Sequence, residues 1–236
     1  MKVLIVHAHP EPKSFSSAMK DAAKATLELA GHEVTVSDLY AMNFKAVADA
    51  DDFGTRRDPD YLNYALEQRA NHEAGELALD IAGEIEKVLA CDLLILNAPV
   101  FWFSVPAIMK GWIDRVFVSG AFYGGRRFYD RGGLTGKSAL LTMTLGGREH
   151  MFGDDAVHGD LETMLRPLLR GTLHYVGMTV LKPFFAYHVP YISADERAAI
   201  MGDFCAYLGN IENAPVLSFP SLDDFDDNMH PKNPGH

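Results

Sequence analysis

The sequence has few cysteines and no long apolar run, and both absences narrow the classes of protein to which it can belong. Only two cysteines, Cys91 and Cys205, occur among the 236 residues, and their spacing matches no disulfide framework or metal site. The apolar run at residues 3–6 is shorter than a signal-peptide core of about 7 to 15 residues. No later run approaches the roughly 20 residues of a membrane span. We therefore expect a cytoplasmic protein without membrane insertion, with both cysteines in its core.

Basic residues and phosphate-binding glycine motifs are also scarce. Lysine and arginine number 21 against 32 aspartate and glutamate residues, which gives a formal net charge of -11. No basic run interrupts this acidic balance, so a nucleic acid is not an expected partner. The loop after the first predicted strand contains neither GxGxxG nor GxxxxGK[ST], which excludes the dinucleotide fingerprint and the P-loop.

The stretch at residues 91–117 is the most informative part of the chain. Four consecutive apolar residues, 93–96, predict a strand that is covered on both faces, as in a parallel sheet flanked by helices. Apolar residues then recur at helical spacing over 105–117. Between strand and helix lies the aromatic loop, Pro99 to Phe103, with three aromatic residues in succession. Such a loop occupies the edge where open α/β sheets bind ligands, although it could equally cap the core.

Strand and helix patterns alternate along the chain, which predicts one domain over residues 1–212 and a C-terminal tail over 213–236. The alternation favours an α/β fold, a doubly wound five-stranded parallel sheet of order 2-1-3-4-5 with helices on both faces. We expect an irregular segment over 41–74, a lid over 119–136, and a tail that lies on a neighbour or is disordered. The predicted strands are 3–6, 34–39, 93–96, 138–145 and 179–187, and the predicted helices are 14–31, 77–89, 105–117, 160–177 (kinked or restarted at Pro167) and 193–211.

Three unusual loops are expected to meet where the strand order reverses, between the first and third strands. One begins a helix with several serines, whose free amides suit a phosphate or pyrophosphate. Another is the aromatic loop, and the last is a glycine pair that lets backbone amides approach the edge of a polar ring. A serine-rich helix start and a glycine turn are each common by themselves, but together the loops indicate a site for a flavin nucleotide. The side chains concerned are those of His9, Ser14, Ser16 and Ser17, and the backbone amides are those of Gly146 and Gly147.

Several of these residues lie in longer motifs that resemble those of the NAD(P)H:quinone oxidoreductases of the DT-diaphorase type. The segments SDLYAMNF at residues 37–44 and WFSVPAIMKGW at residues 102–112 are the most specific, and the resemblance covers nearly everything before the tail. It implies a flavodoxin-like fold, FAD rather than FMN, NADPH or NADH as the hydride donor, and a homodimer with its active sites at the subunit interface. Further matching residues are His9, Ser14, Phe15, Gly146, Gly147, His158, Gly159, Asp160, Leu173, His174, Ala194, Asp195 and Arg197.

The resemblance also implies roles for individual residues. The implied catalytic residues are His158, Phe152, Gly146 and Gly147. The implied cofactor-binding residues are His9, Phe15, Ser16, Asn63, Pro99, Val100, Phe101, Trp102, Phe103, Thr144, Leu145, Gly146, Gly147, Phe152 and Arg197. The implied substrate-binding residues are Trp102, Phe103, Tyr123, Gly124, Gly125, Phe128, Met151 and Tyr175, of which Tyr123 and Phe128 would come from the other subunit.

The sequence departs from this family at three positions of the expected site. Phe152 stands where the family has a catalytic tyrosine that works with the histidine matched by His158. Gly125 replaces a tyrosine of the substrate pocket, and Tyr191 replaces a histidine near the nicotinamide, so we expect a more open pocket. Only His174 is found of the ligands that bind zinc or copper in some family members, so no metal site is predicted.

The expected reaction is the two-electron reduction of a quinone by NADPH or NADH, with hydride passing through flavin N5. Backbone amides at the glycine pair and His158 would stabilise negative charge on the reduced flavin. The alternatives are reduction of azo or nitro compounds, a one-electron flavin carrier, and a flavoprotein regulatory subunit of a transporter. A homodimer is also expected because the lid and the apolar helix at 105–117 would need cover from a second subunit.

Overall fold

A parallel sheet with helices on both faces forms the framework of the protein, and the computed structural model describes residues 1–233. The elements are β1 (Lys2–His7), α1 (Phe15–Leu29), β2 (Glu33–Asp38), α2 (Tyr64–Ala74), α3 (Leu79–Ala90), β3 (Leu93–Pro99), α4 (Ala107–Val116), β4 (Ser138–Thr144), α5 (Leu161–Met164), α6 (Arg166–Leu168), β5 (Thr179–Val180), β6 (Phe184–Ala186) and α7 (Ala194–Gly209). The strands lie in the order β2-β1-β3-β4-β5, and β6 pairs with the later part of β4. The predicted order and the flavodoxin-like architecture are therefore confirmed.

The sheet is buried on both faces, which explains its continuous apolar strands. Leu4 and Val6 of β1 belong to the core beneath α3 and α4, whereas Val3 and Ile5 pack with α1 and α7 on the opposite face. Successive strand residues point to opposite faces, so a sheet covered on both sides needs apolar residues at every position. Cys91 is buried in this core, and burial raises the pKa of its thiol to about 11, so it stays protonated. The other cysteine is only half-buried.

Helix α2 lies inside the segment for which an irregular structure was predicted, so that prediction was wrong for its last part. The side chains that α2 buries are polar, namely Glu67, Gln68 and Asn71. Glu67 accepts hydrogen bonds from two backbone amides of the preceding loop, and the other two side chains bond to backbone groups of neighbouring segments. Apart from Tyr64, which packs on Phe53, the buried contacts of α2 are hydrogen bonds, so no apolar period marks the helix in the sequence.

The predicted strand 179–187 is broken into β5 and β6, so its continuity was predicted wrongly. Pro183 lies between the two pieces and has no N–H group to donate to a neighbouring strand. The tail fills the gap, because the Lys182 amide donates to the Pro215 carbonyl at 2.7 Å. On the tail itself, the Leu217 amide donates to the Val180 carbonyl at 2.9 Å.

The helix predicted for residues 160–177 is interrupted as Pro167 predicts. Helix α5 ends at Met164, α6 contains Pro167, and a π-helical turn follows at Leu169–His174. Helix α7 begins with the expected capping box, in which Ser193 and Glu196 bond to each other's backbone amides. No helix within residues 1–233 combines the length and the apolar character needed to cross a membrane.

The tail contacts its own chain over its described part. Leu217 and Phe219 pack against the core, and Leu222 is buried. The Ser221 hydroxyl lies 2.6 Å from a carboxylate oxygen of Asp130. These contacts with the domain hold the tail, whose own composition is too polar to form a core. The last three residues of the predicted tail, 234–236, lie outside the described residues.

Helix α4 packs mainly against its own chain, and only a small part of its apolar surface remains for a second subunit to cover. Met109, Trp112, Ile113 and Val116 of this helix are buried, whereas Ile108 is half-buried and Ala107 is exposed. The lid segment also buries Phe122 and Leu134 completely. The motif at residues 37–44 contributes to this cover: Ser37 and the indole N–H of Trp112 both donate hydrogen bonds to the buried carboxylate of Glu84. The motif is thus a packing feature, and it does not line the cavity described below.

Gly111 of α4 is predicted to be intolerant of alanine. A Cβ atom at this position would lie 2.0 Å from the Ala46 carbonyl oxygen, and backbone cannot move aside cheaply. We expect Gly111→Ala to lower the free energy of unfolding by about 3 kcal/mol, measured by urea denaturation. Gly83→Ala in α3 is the matched control, since its Cβ would meet nothing within 4 Å. That variant is expected to gain about 0.5–1 kcal/mol, and equal effects at both positions would contradict the prediction.

Candidate active site

A cavity of about 650 Å³ opens at the carboxyl ends of β1, β3 and β4, where the strand order reverses. It brings together most of the cofactor-binding residues predicted from the sequence. Trp102, Phe103, Gly147 and Phe152 lie outside its lining, and Asn63 is elsewhere. The lining residues are His9, Lys13, Ser14, Phe15, Ser16, Ala18, Pro99, Val100, Phe101, Thr144, Leu145, Gly146, Val189, Pro190 and Arg197.

The start of α1 forms the polar end of this cavity. Ser14 is the N-cap residue, and its side chain accepts a hydrogen bond from the Ser17 amide. Ser16 is buried, and its hydroxyl lies 2.7 Å from that of Thr144 at the end of β4, which fixes the helix start against the sheet. Helix starts carry unpaired N–H groups and a partial positive charge, so they attract anions. Lys13, which was not predicted as a site residue, adds a cation beside these amides.

A buried polar network supports this helix start from below. His7 Nδ1 lies 2.6 Å from Asn97 Oδ1, and its Nε2 lies 3.2 Å from the Ser17 hydroxyl. Asn97 donates its amide to Thr142, so its oxygen faces His7 and the proton belongs on Nδ1. Burial lowers the pKa of His7, against the hydrogen bond to Asn97 that raises it, so the ring stays neutral and Nε2 is an acceptor. His7 and Asn97 were not predicted from the sequence, because the only signal of each is a polar residue near the end of an apolar strand.

The aromatic loop is a tight turn held in a strained conformation. Phe101 and Ser104 exchange both of their backbone hydrogen bonds, at 2.9 and 3.0 Å. Trp102 and Phe103 between them both have a φ of 53°, a left-handed conformation that costs a non-glycine residue roughly 1–2 kcal/mol. The turn leaves Trp102 97% exposed beside the cavity. Strain of this kind is concentrated at functional sites, where it holds a side chain in a working position.

His158 lies in an aromatic cluster at the edge of the cavity. Its ring centroid is 5.7 Å from that of Phe103 and 5.1 Å from that of Phe152. The backbone N–H of His158 donates to the Met151 carbonyl at 3.0 Å, which closes the loop that carries both residues. Phe152 also packs on the glycine pair, since a Cβ atom on Gly147 would lie 2.8 Å from its ring. The predicted catalytic residues are thus neighbours. The ring of Phe152 packs on His158 at the position where the family has a tyrosine with its hydroxyl.

Some predicted site residues lie away from the cavity. Asn63 is the N-cap residue of α2 and lines a separate depression with residues of its own loop. Tyr123 and Phe128 each pack on Tyr175, with ring centroids 5.8 and 5.7 Å apart respectively, beside a second cavity of about 300 Å³. Gly124 and Gly125, which were also predicted to bind the substrate, follow Tyr123 in a turn with positive φ angles.

Potential metal ligands are dispersed in the described chain. Within residues 1–233, no group of three or more histidine, cysteine, aspartate or glutamate side chains is arranged to hold a metal ion. His174, the one residue that matches a family ligand, bonds instead through Nδ1 to the Met178 carbonyl at 3.2 Å, and its ring packs on Phe219 of the tail.

Comparisons with known proteins agree on the class of the chain. A sequence profile described as a flavodoxin-like fold matches residues 1–208. The ribosyldihydronicotinamide dehydrogenase (quinone) of Mus musculus is 43% identical over 221 residues, covering 93% of this chain and 96% of the relative. The NAD(P)H dehydrogenase (quinone) 1 of Cavia porcellus is 40% identical, covering 97% of this chain and 83% of the relative. A candidate quinone reductase of Klebsiella pneumoniae has a similar structure, with a TM-score of 0.94, 35% identity, and coverage of 98% of this chain and 94% of that chain.

Proposed function

The chain belongs to the flavodoxin-like family that contains the NAD(P)H and ribosyldihydronicotinamide dehydrogenases (quinone), and from this membership we propose that it binds FAD and reduces quinones by two electrons at the expense of NADPH or NADH. Relatives named for ribosyldihydronicotinamide and relatives named for NAD(P)H match at similar identity, so an assay of the donors must decide between them.

The observation that carries this proposal is the meeting of three kinds of group around one cavity. The start of α1 supplies N–H groups and Lys13 for phosphates, and Gly146 supplies a backbone amide with that of Gly147 next to it in the chain. The first part of the aromatic loop, Pro99 to Phe101, supplies an apolar wall. The N–H groups of Gly146 and Gly147 donate to no protein acceptor within residues 1–233, so they are available to a ligand. A volume of about 650 Å³ lies within the range of small-molecule sites, roughly 300–1,000 Å³. This set of donors and surfaces fits a flavin nucleotide.

The cavity residues divide the proposed cofactor between them. His9 and Ser16 would bind the pyrophosphate at the start of α1. Arg197 would bind the adenosine half, and its guanidinium is already held by a hydrogen bond to the Ile192 carbonyl at 2.7 Å. Asn63 lies outside the cavity and would reach the adenosine half only from a second subunit.

FAD, when bound, supplies the hydride chemistry between the dihydronicotinamide and the quinone. The residues of the chain would orient the ring, exclude water and stabilise charge. The amides of Gly146 and Gly147 would donate to the ring edge on which negative charge develops. Trp102 and Phe103 would cover the site, and His158 would hold a proton beside it.

The test is the flavin content and turnover of the purified protein. We expect a yellow protein that releases FAD, identified by mass, and that oxidises NADPH or NADH when a simple quinone is added. Dihydronicotinamide riboside, an azo dye and a nitroaromatic compound are assayed in parallel to rank donors and acceptors. Release of FMN alone would overturn the FAD assignment. Bound flavin without turnover of any donor would favour a carrier or a regulatory subunit, and a colourless protein that takes up no flavin would overturn the proposal.

We also expect the protein to be a homodimer. The Tyr123, Phe128 and Tyr175 stack lies outside the main cavity of its own chain, so it can roof an active site only if that site belongs to another subunit. The exposed Trp102 would be covered in the same assembly. Sedimentation equilibrium of the flavin-loaded protein is expected to give twice the mass of the chain. A fully active monomer would contradict this expectation.

A further inference from the structure

His188 is the residue that holds the glycine pair in place. Its ring Nδ1 lies 2.8 Å from the Gly146 carbonyl oxygen, and its backbone N–H donates to the Gly147 carbonyl at 2.9 Å. Both contacts come from one residue because its backbone is left-handed, with a φ of 56°, which turns the side chain and the N–H group toward the same loop. Histidine is among the few non-glycine residues that adopt this conformation with some frequency. The ring is supported by Tyr191, whose ring centroid lies 5.0 Å away.

The side-chain hydrogen bond fixes the direction of the Gly147 amide, which donates to no acceptor within residues 1–233. The Gly146 carbonyl and the Gly147 N–H belong to the same peptide unit, and in a trans peptide these two groups point in opposite directions. A carbonyl turned toward His188 therefore turns the Gly147 N–H away from it. Glycine has no side chain to restrict rotation of this peptide, so without the bond the peptide could turn at little cost.

We propose that His188 is a positioning residue that orients the Gly146–Gly147 peptide so that its N–H group donates to the flavin, an assignment that rests on the proposed function. The carbonyl needs a donor, and only the Nδ1–H of the imidazole lies within reach of it among the described side chains. The role belongs to this hydrogen bond, since the backbone bond from His188 to Gly147 is available to any residue except proline.

Three substitutions separate this role from a merely structural one. Asparagine tolerates the left-handed backbone and offers an N–H donor on a short side chain. Aspartate has the same shape and a similar tolerance, but its carboxylate cannot donate and repels the carbonyl. Glycine removes the side chain and also removes the backbone strain, so a folding defect in His188→Asp can be recognised by comparison with His188→Gly. The control is His150→Asp, which adds the same charge at an exposed position of the neighbouring loop.

The first measurement uses the flavin-free protein and the ¹⁵N–¹H resonance of Gly147. We expect this resonance to move, and its hydrogen exchange to quicken, in His188→Asp and His188→Gly, and to stay close to the parent in His188→Asn and His150→Asp. An unchanged Gly147 resonance in His188→Asp and His188→Gly would overturn the proposal. This NMR measurement does not depend on flavin. It therefore tests whether His188 orients the peptide even if the protein binds no flavin and the proposed function fails.

The second measurement titrates the flavin-free variants with FAD and follows the quenching of its fluorescence. Loss of one well-placed hydrogen bond predicts about tenfold weaker binding in His188→Gly and His188→Asp, with a lower midpoint potential of the bound flavin. His188→Asn is expected to bind within about threefold of the parent. If all three variants bind FAD as the parent does while the parent is an active quinone reductase, the proposed function stands and the role of His188 is overturned.

Discussion

His158→Gln is expected to slow the reduction of the bound flavin by NADPH or NADH about 100-fold, which is the lower end of what a positioned general acid contributes. His158 is the titratable ring that contacts both Phe103 and Phe152. Tyr187 also packs on Phe152, but burial raises the pKa of its hydroxyl, which makes it a poorer proton donor. Hydride transfer should persist, because the proposed charge stabilisation by the amides of the glycine pair does not depend on His158. Flavin content should also persist, since His158 does not line the cavity. Stopped-flow traces of flavin bleaching measure the rate.

Phe152→Tyr is the companion variant for this prediction. Its ring lies 5.1 Å from that of His158, so the added hydroxyl would enter the same cluster. We expect reduction to be unchanged or modestly faster, since the hydroxyl restores a second proton-holding group. Identical reduction rates for His158→Gln and the parent from about pH 6 to about pH 9 would mean that the histidine is structural. The charge stabilisation would then fall to the backbone amides alone.

Asp52→Asn is expected to lower the free energy of unfolding by about 3–4 kcal/mol at neutral pH, because it removes the buried one of the two carboxylates that neutralise a buried guanidinium. The Asp52 carboxylate is fully buried and accepts hydrogen bonds from Arg115 Nη2 at 2.8 Å, Lys45 Nζ at 3.0 Å and the Tyr64 hydroxyl at 2.6 Å. Arg115 is itself 1% exposed and also pairs with Asp80. These contacts join the loop before α2 to helices α3 and α4. Urea denaturation of both proteins measures the difference.

The pH dependence of the Asp52→Asn effect follows from the pKa of the carboxyl group. Burial raises the pKa of Asp52, but the hydrogen bonds from Arg115, Tyr64 and Lys45 outweigh it and lower the pKa to about 2. An aspartate in the unfolded chain has a pKa of about 3.9. The stabilisation is therefore complete above about pH 4 and is lost as the pH falls toward 2, so the difference between parent and variant should shrink over that interval.

Asp49→Asn is the control for this cluster. Asp49 also pairs with Lys45, but its side chain is 43% exposed, so water can replace the lost interaction. We expect only a small loss of stability with little dependence on pH. A comparable loss in both variants, or a loss in Asp52→Asn that persists at about pH 2, would contradict the assignment of the buried charge pair as the source of the effect.

The sequence predicted the sheet and its loops because those features depend on local patterns. Apolar runs in β1, β3 and β4 identify strands that are buried on both faces, and prolines such as Pro99 and Pro167 mark where elements end. Strict alternation of strands and helices then leaves few possible strand orders. The strand order in turn predicted that the loops containing His9, Val100 and Gly146 meet in one cavity, because the carboxyl ends of parallel strands lie at one edge of the sheet.

The tertiary structure decided the features that depend on contacts between distant parts of the chain. Helix α2 is held by polar side chains that no apolar period reveals, and the tail enters the gap between β5 and β6 opposite Lys182. The bond from His7 to Asn97 joins residues 90 positions apart, and that from His188 to Gly146 joins residues 42 positions apart. A hydrogen bond needs its two partners within about 3 Å and correctly aligned, and a sequence states which donors and acceptors exist but not which of them the fold brings to that distance.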